Sequence, residues 1–187
     1  MPYFEHDVIG TAAAPGTGTN GPCVACHMVG SSHLFSAVTK SGPTFTAPIT
    51  EIRNQALCNV CHTGQYVMST AKLEEEAEGA QEANAVLKAY VSNTITNYLN
   101  TVITSTVVDR RDYGALQNSQ YLDEGGDPGA YVHNRIYAKR IIFDSIDRLD
   151  SGTFEGTIVI NATTYPKAAV WFGAPLSTSG TYTATRP

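Results

Sequence analysis

The sequence predicts a mainly α fold with much irregular structure and little or no sheet. Three observations support this. Apolar residues recur at helical spacing over about 70–104 and again over about 129–149. The first 70 residues are rich in turn-forming residues and carry no comparable period. All four cysteines of the 187-residue chain fall in that stretch, in two copies of one short motif. Length allows one folded unit. We divide it into a motif-bearing segment, 1–70, a helical segment, 71–150, and a C-terminal extension, 151–187.

Gly10 to Pro22 is a linker built from Gly, Thr, Ala, Asn and Pro, which cannot assemble a core of its own. The first long helix, 70–104, follows from Leu73, Ala77, Ala80, Leu87, Val91, Ile95, Tyr98 and Val102, spaced by three, four or seven. Glu74, Glu75, Glu76 and Glu78 crowd its first turns, near the positive end of the helix dipole, and read as a solvated face. Asp123 to Gly129 is a break. Asp127 is the expected N-cap of the next helix, with Pro128 at its first position. That helix, 129–149, is given an apolar side of Val132, Ile136, Phe143, Ile146 and Leu149, with His133, Tyr137, Arg140 and Asp144 on a neighbouring face. Residues 153–161 read as one short strand or extended segment. Pro166 to Phe172 reads as a short helix with Gly173 past its end. From Ala174 onward the Ser, Thr, Pro and Gly content predicts a tail unable to fold alone.

The doubled motif is Cys23-Val24-Ala25-Cys26-His27 and Cys58-Asn59-Val60-Cys61-His62. C-x-x-C-H is the attachment signature of a c-type haem. Two thiols three positions apart reach the two vinyl groups on one porphyrin edge, and the following His ligates the iron. The expectation is two covalently attached haems, held by Cys23 and Cys26 with His27, and by Cys58 and Cys61 with His62. Four cysteines could instead enclose zinc. The 31 residues between Cys26 and Cys58 exceed the usual ribbon spacing, and zinc gives no reason for the two histidines. A thioredoxin-like site comes once, near a βαβ pattern. Two structural disulfides are the remaining alternative in an exported chain.

Each iron has a second face. Five histidines exist, so His6, His33 and His133 are the candidates for two distal positions. His33 is too near His27 in sequence to reach over its own haem easily, so the second haem is its expected target. His133 sits on a helix, which fixes its direction. His6 lies on an N-terminal arm that either folds back or reaches a neighbouring subunit. Met28 and Met68 are expected to pack. The spare histidines favour filled iron sites and electron transfer over the alternative, a dihaem peroxidase or reductase with one open iron.

Only 16% of residues are charged, and the net charge of −5 argues against nucleic acid as a partner. No run of 18 apolar residues exists, so no membrane span is expected. Residues 1–7 lack the basic start and apolar stretch of a signal peptide. Haem attachment takes place outside the bacterial cytoplasm. The chain is therefore expected to be a processed product, or a piece numbered without its leader, working in the periplasm or outside the cell.

Cys-Val-Ala-Cys-His-Met with Ser-His-Leu-Phe-Ser-Ala-Val (residues 23–28 and 32–38), then Cys58-Asn-Val-Cys-His-Thr-Gly64, resembles the multihaem c-type cytochromes of metal-reducing bacteria such as Geobacter relatives. Asp127 to Arg140 is similar to a segment near the C-termini of those proteins, where the His-Asn pair in a helix resembles a distal haem ligand of the wider multihaem group. The resemblance covers most of residues 3–150. It implies extracellular or periplasmic electron transfer through bis-His haems; it supports His33 and His133 and leaves His6 a candidate. Those relatives carry many more haems than two. Redox partners or identical subunits, in a filament for example, are therefore expected to continue the chain of cofactors.

Overall fold

The computed structural model describes residues 6, 8–10, 21–29, 35–44, 46–94, 110–123 and 126–187. Seven α-helices and two separate two-stranded sheets are found among them, so the chain is mainly α with little sheet, as predicted. It divides into two compact units, 1–75 and 76–187.

The first unit holds more regular structure than its composition suggests. Helix α1 (Gly21–His27) begins at Gly21 with φ +74°. Strands β1 (Val38–Lys40) and β2 (Ile49–Ile52) pair antiparallel, Val38 opposite Ile52, with a register irregularity between Thr39 and Lys40. Helix α2 (Gln55–Cys61) follows at once, then a 3₁₀ turn (Gly64–Tyr66) and the start of α3 (Thr70–Thr94). Glu74 accepts the Ile49 backbone N–H at 2.7 Å, which joins α3 to β2 within this unit.

The second unit has a conventional core. Helix α3 supplies Ala83, Val86, Leu87 and Val91. The predicted stripe is correct as far as Thr94, and its continuation through Ile95, Tyr98 and Val102 lies outside the described residues. The acidic run is not a free solvated face. Glu76 pairs with Arg135 at 2.6 Å and accepts the Trp171 indole N–H at 3.0 Å. Glu78 pairs with Lys167 at 2.5 Å.

Helix α4 (Arg110–Tyr121) was not predicted. Its sequence is polar, and it is held by tertiary contacts: Ala115 and Leu116 are buried in the core, and Asn118 donates to the Ser145 hydroxyl at 2.9 Å.

The single helix predicted over 129–149 is two helices, α5 (Ala130–His133) and α6 (Arg135–Ser151). Asn134 breaks it. Its backbone is extended (φ −155°, ψ +83°), and its side chain accepts the Tyr137 N–H, so it ends one helix and caps the next. The expected apolar stripe is split accordingly. Phe143, Ile146 and Leu149 are buried, while Val132 and Ile136 are exposed. His133 and Tyr137 therefore do not share a face of one continuous helix. Gly129, not Asp127, is the N-cap of α5.

The strand expected within 153–161 is β3 (Thr157–Asn161), with Ile158 and Ile160 turned inward. Helix α7 (Pro166–Trp171) starts on Pro166 as predicted, and Gly173 past its end takes φ +108°. The C-terminal tail is ordered by pairing. Strand β4 (Thr181–Thr185) lies antiparallel to β3, Thr157 opposite Thr185, and buries Ala184. Asp147, almost wholly buried, accepts the Glu155 and Gly156 N–H groups at 3.0 and 2.9 Å and fixes the approach to β3.

Candidate functional site

The two Cys-x-x-Cys-His motifs lie on adjacent short helices of the first unit. In each, a helical turn sets the two cysteines three positions apart on one side. Asn54, just ahead of α2, donates its side-chain N–H to the Ala25 carbonyl in α1 at 2.8 Å and ties the motifs together. All four cysteines are free thiols; Cys23 and Cys61 are exposed, Cys26 and Cys58 half-buried. Burial pushes the Cys26 thiol up, and the neighbouring Cys58 and Cys23 push it further. Burial also raises Cys58, against a backbone hydrogen bond. Both inner thiols therefore stay protonated at neutral pH.

The histidines that follow are placed differently. His27 closes α1 inside the helix. Its Nδ1 lies 3.1 Å from the Phe35 carbonyl oxygen. A carbonyl only accepts, so Nδ1 carries the proton and the lone pair resides on Nε2, the atom suited to iron. The Phe35 ring stacks on the imidazole at 4.5 Å and 11°. Phe35 holds φ +47°, a left-handed conformation rare for a bulky residue. His62 instead caps α2 with extended backbone (φ −83°, ψ +92°). Its ring centroid lies 6.5 Å from that of His6, the planes tilted by 39°.

A metal–imidazole bond is about 2 Å, so two imidazoles bound to one metal stand roughly 6 Å apart between centroids, close to the separation of these two rings. His6 is half-buried at the start of a turn whose Ile9 N–H returns to the His6 carbonyl at 3.1 Å. His6 thus stands beside the second motif of its own chain.

His133 stands in the second unit, at the end of α5. Its Nδ1 lies 3.0 and 3.1 Å from the two Asp127 carboxylate oxygens. Asp127 also accepts the Gly129 N–H and the Tyr121 hydroxyl. Burial, then the charge of Asp127, pushes the Tyr121 phenol up, which keeps it a donor. A carboxylate on Nδ1 orients an imidazole for ligation through Nε2. His33 lies outside the described residues. Met68 is half-buried, as expected of a packing residue, but Met28 is exposed beside the first motif.

The donor set and its surroundings fit haem. Around the motifs Val24, Met28, Phe35, Val60, Tyr66 and Val67 are exposed apolar side chains, suited to the rim and face of a porphyrin. Among the described residues no three His, Cys, Asp or Glu side chains converge to hold a metal ion, so the closed tetrahedron of a zinc ribbon is not formed there. Sequence reasoning missed Phe35, Asn54 and the orienting role of Asp127. Asp127 carried a turn signal, whereas Phe35 and Asn54 act through contacts with no local signature.

No family model matches the chain, and no solved structure matches it. Curated relatives do. The C-type polyheme cytochrome OmcC of Geobacter sulfurreducens is 35% identical over 218 aligned positions, spanning 99% of this chain and 27% of its own length. The C-type polyheme cytochrome OmcB of the same species is 36% identical over 188 positions, spanning 83% of this chain and 24% of its own length. The chain thus spans about a quarter of the length of the curated relatives it matches. Among the described residues no helix is long and apolar enough to cross a membrane.

Proposed function

Because the chain is homologous to the multihaem c-type cytochromes of Geobacter-like bacteria, we propose that it is a dihaem c-type cytochrome that carries electrons outside the cytoplasm. The observation that supports this best is the pairing of two Cys-x-x-Cys-His helices with a third histidine, His6, at iron-sharing distance from His62. Cys23 and Cys26 bind one haem with His27 as proximal ligand. Cys58 and Cys61 bind the other, with His62 proximal and His6 distal. His33 and His133 are the candidates for the remaining distal position, whether within one chain or from a neighbour.

A haem so held supplies a reversible one-electron change at iron. The protein's part would be to hold each iron with two imidazoles, so that no site would be open to substrate, and to set the potential by ligand, burial and charge. Imidazole on both faces and an acidic chain favour the oxidised iron, so both potentials fall below those of His/Met cytochromes. Two haems carry an electron a short way. Redox proteins or identical subunits, assembled into a filament outside the cell, would extend the path. Electron microscopy of the native material distinguishes a filament from a soluble shuttle.

The test is mass spectrometry of the intact native protein, a visible spectrum and a redox titration. Two covalent haems, both low-spin, with no Met–iron absorption band, are expected. His6→Ala should turn one haem high-spin and leave the other unchanged. One haem, or rapid carbon monoxide binding by the unaltered protein, would replace this reading with the open-site enzyme.

A further inference from the structure

We propose that Phe35 is the positioning residue of His27, and that through it the first haem is the lower-potential member of the pair. This rests on the assignment of Cys23, Cys26 and His27 to a haem.

Phe35 engages the imidazole twice. Its carbonyl takes the Nδ1 proton at 3.1 Å, and its ring lies flat against the imidazole at 4.5 Å. One contact fixes the tautomer, and the two together fix the ring plane. Both come from a residue at φ +47°, where a side chain of this size seldom sits. Such a conformation persists when the structure around it over-determines it. Here the following residues are anchored in the hairpin. Ser36 donates its hydroxyl to the Val38 carbonyl at 2.6 Å, and Arg53 donates its N–H to the Ala37 carbonyl at 3.0 Å. The entry to β1 is thereby pinned, and the Phe35 carbonyl is presented to α1.

The electronic consequence has a definite sign. An imidazole that donates its Nδ1–H to an acceptor gains electron density at Nε2 and becomes a stronger ligand. A stronger donor favours the more positive iron, so the potential falls. His62 makes no carbonyl bond of this kind among the described residues, and the ring beside it is that of His6. Two motifs of the same sequence pattern are therefore inequivalent. The inequivalence gives the pair a direction: the first haem gives up its electron more readily than the second.

Two variants of the haem-loaded protein separate the contacts. Phe35→Pro fixes φ near about −65° and swings the carbonyl away. Phe35→Gly accepts the left-handed backbone and keeps the carbonyl, but removes the ring. Potentiometric titration should show two midpoints. The proline variant should raise the lower one alone, and the glycine variant should leave it in place while broadening one low-spin resonance in electron paramagnetic resonance. A proline variant that moves neither midpoint, or moves the higher one, overturns the proposal. An unchanged resonance in the glycine variant overturns the role of the ring.

Should the proline variant fail to fold, nuclear magnetic resonance of the unaltered oxidised protein decides. One proximal Nδ1–H should exchange with solvent slowly and the other fast; equal exchange overturns the inference. Intact mass keeps the two levels apart. If the first motif carries no haem, the functional assignment itself fails. If both haems are attached and the midpoints do not respond, the Phe35 inference fails alone.

Discussion

Residues 76–187 bury Phe143, Leu87, Ile142, Ile146, Ile158 and Ile160 almost completely, whereas the described part of residues 1–75 buries four apolar side chains: Ile9, Ile49, Leu57 and Leu73. Burying one such side chain contributes about 1.5–3 kcal/mol. Ordering each residue costs about 1–2 kcal/mol. The second unit has the material of an ordinary domain. The described part of the first does not, and its exposed apolar side chains cluster around cysteines that form no disulfide. The difference teaches that one half of the chain is organised by a core of its own side chains, and that the described part of the other has few such side chains to organise it.

The comparison can be broken most sharply at the second motif. Cys58→Ala with Cys61→Ala should remove one haem and most of the slow amide exchange within residues 1–75, leaving residues 76–187 protected. Hydrogen exchange by mass spectrometry reads both halves at once. Equal loss in the two units would show that their stabilities are not separate.

The reverse experiment is Phe143→Ala, which empties the centre of the second unit. A loss of about 3–5 kcal/mol is expected from urea unfolding followed at Trp171. The haem absorption bands should be unmoved in the folded variant.

A smaller effect is expected at Gly79. A Cβ there would lie 2.8 Å from Trp171 Cβ and Cδ1, too close for either to stay in place. Alanine improves helix propensity, yet the clash should dominate, with a net loss of about 1–2 kcal/mol in the same urea assay. A gain in stability would mean that Trp171 shifts without cost.

The mildest test is pH. Burial raises the Glu76 pKa, but hydrogen bonding and charge from Arg135, the Trp171 indole and Lys139 outweigh it, so the folded value lies below the ordinary 4.5. A depressed carboxylate pKa contributes stability that is present above the unfolded value and lost as pH falls through the folded one. The second unit should therefore lose stability below about pH 4.5, and Glu76→Gln should flatten that part of the profile. An unchanged acid limb in the variant would assign the loss to other carboxylates.

Much of this was legible where the physics is local. The helical period of Leu73, Ala77, Leu87 and Val91 appears as α3, and Pro166 and Gly173 bracket α7. The split of α5 from α6 was readable in principle, since Asn134 is a good cap, but a lone Asn in an apolar period gives little warning. Helix α4 and strand β4 were not legible. The sequences Arg110–Tyr121 and Thr181–Thr185 are too polar to declare themselves, and each is stabilised by a partner distant in the chain.

By itself, the sequence determined the two Cys-x-x-Cys-His motifs, whose spacing is the attachment signature of a c-type haem. Tertiary structure decided what surrounds them. It brought His6 to 6.5 Å from His62 across more than fifty residues, set the Phe35 carbonyl on His27, and held His133 against Asp127. Those contacts depend on chain reversals and on backbone conformations such as the positive φ of Phe35, which no local pattern of residues encodes.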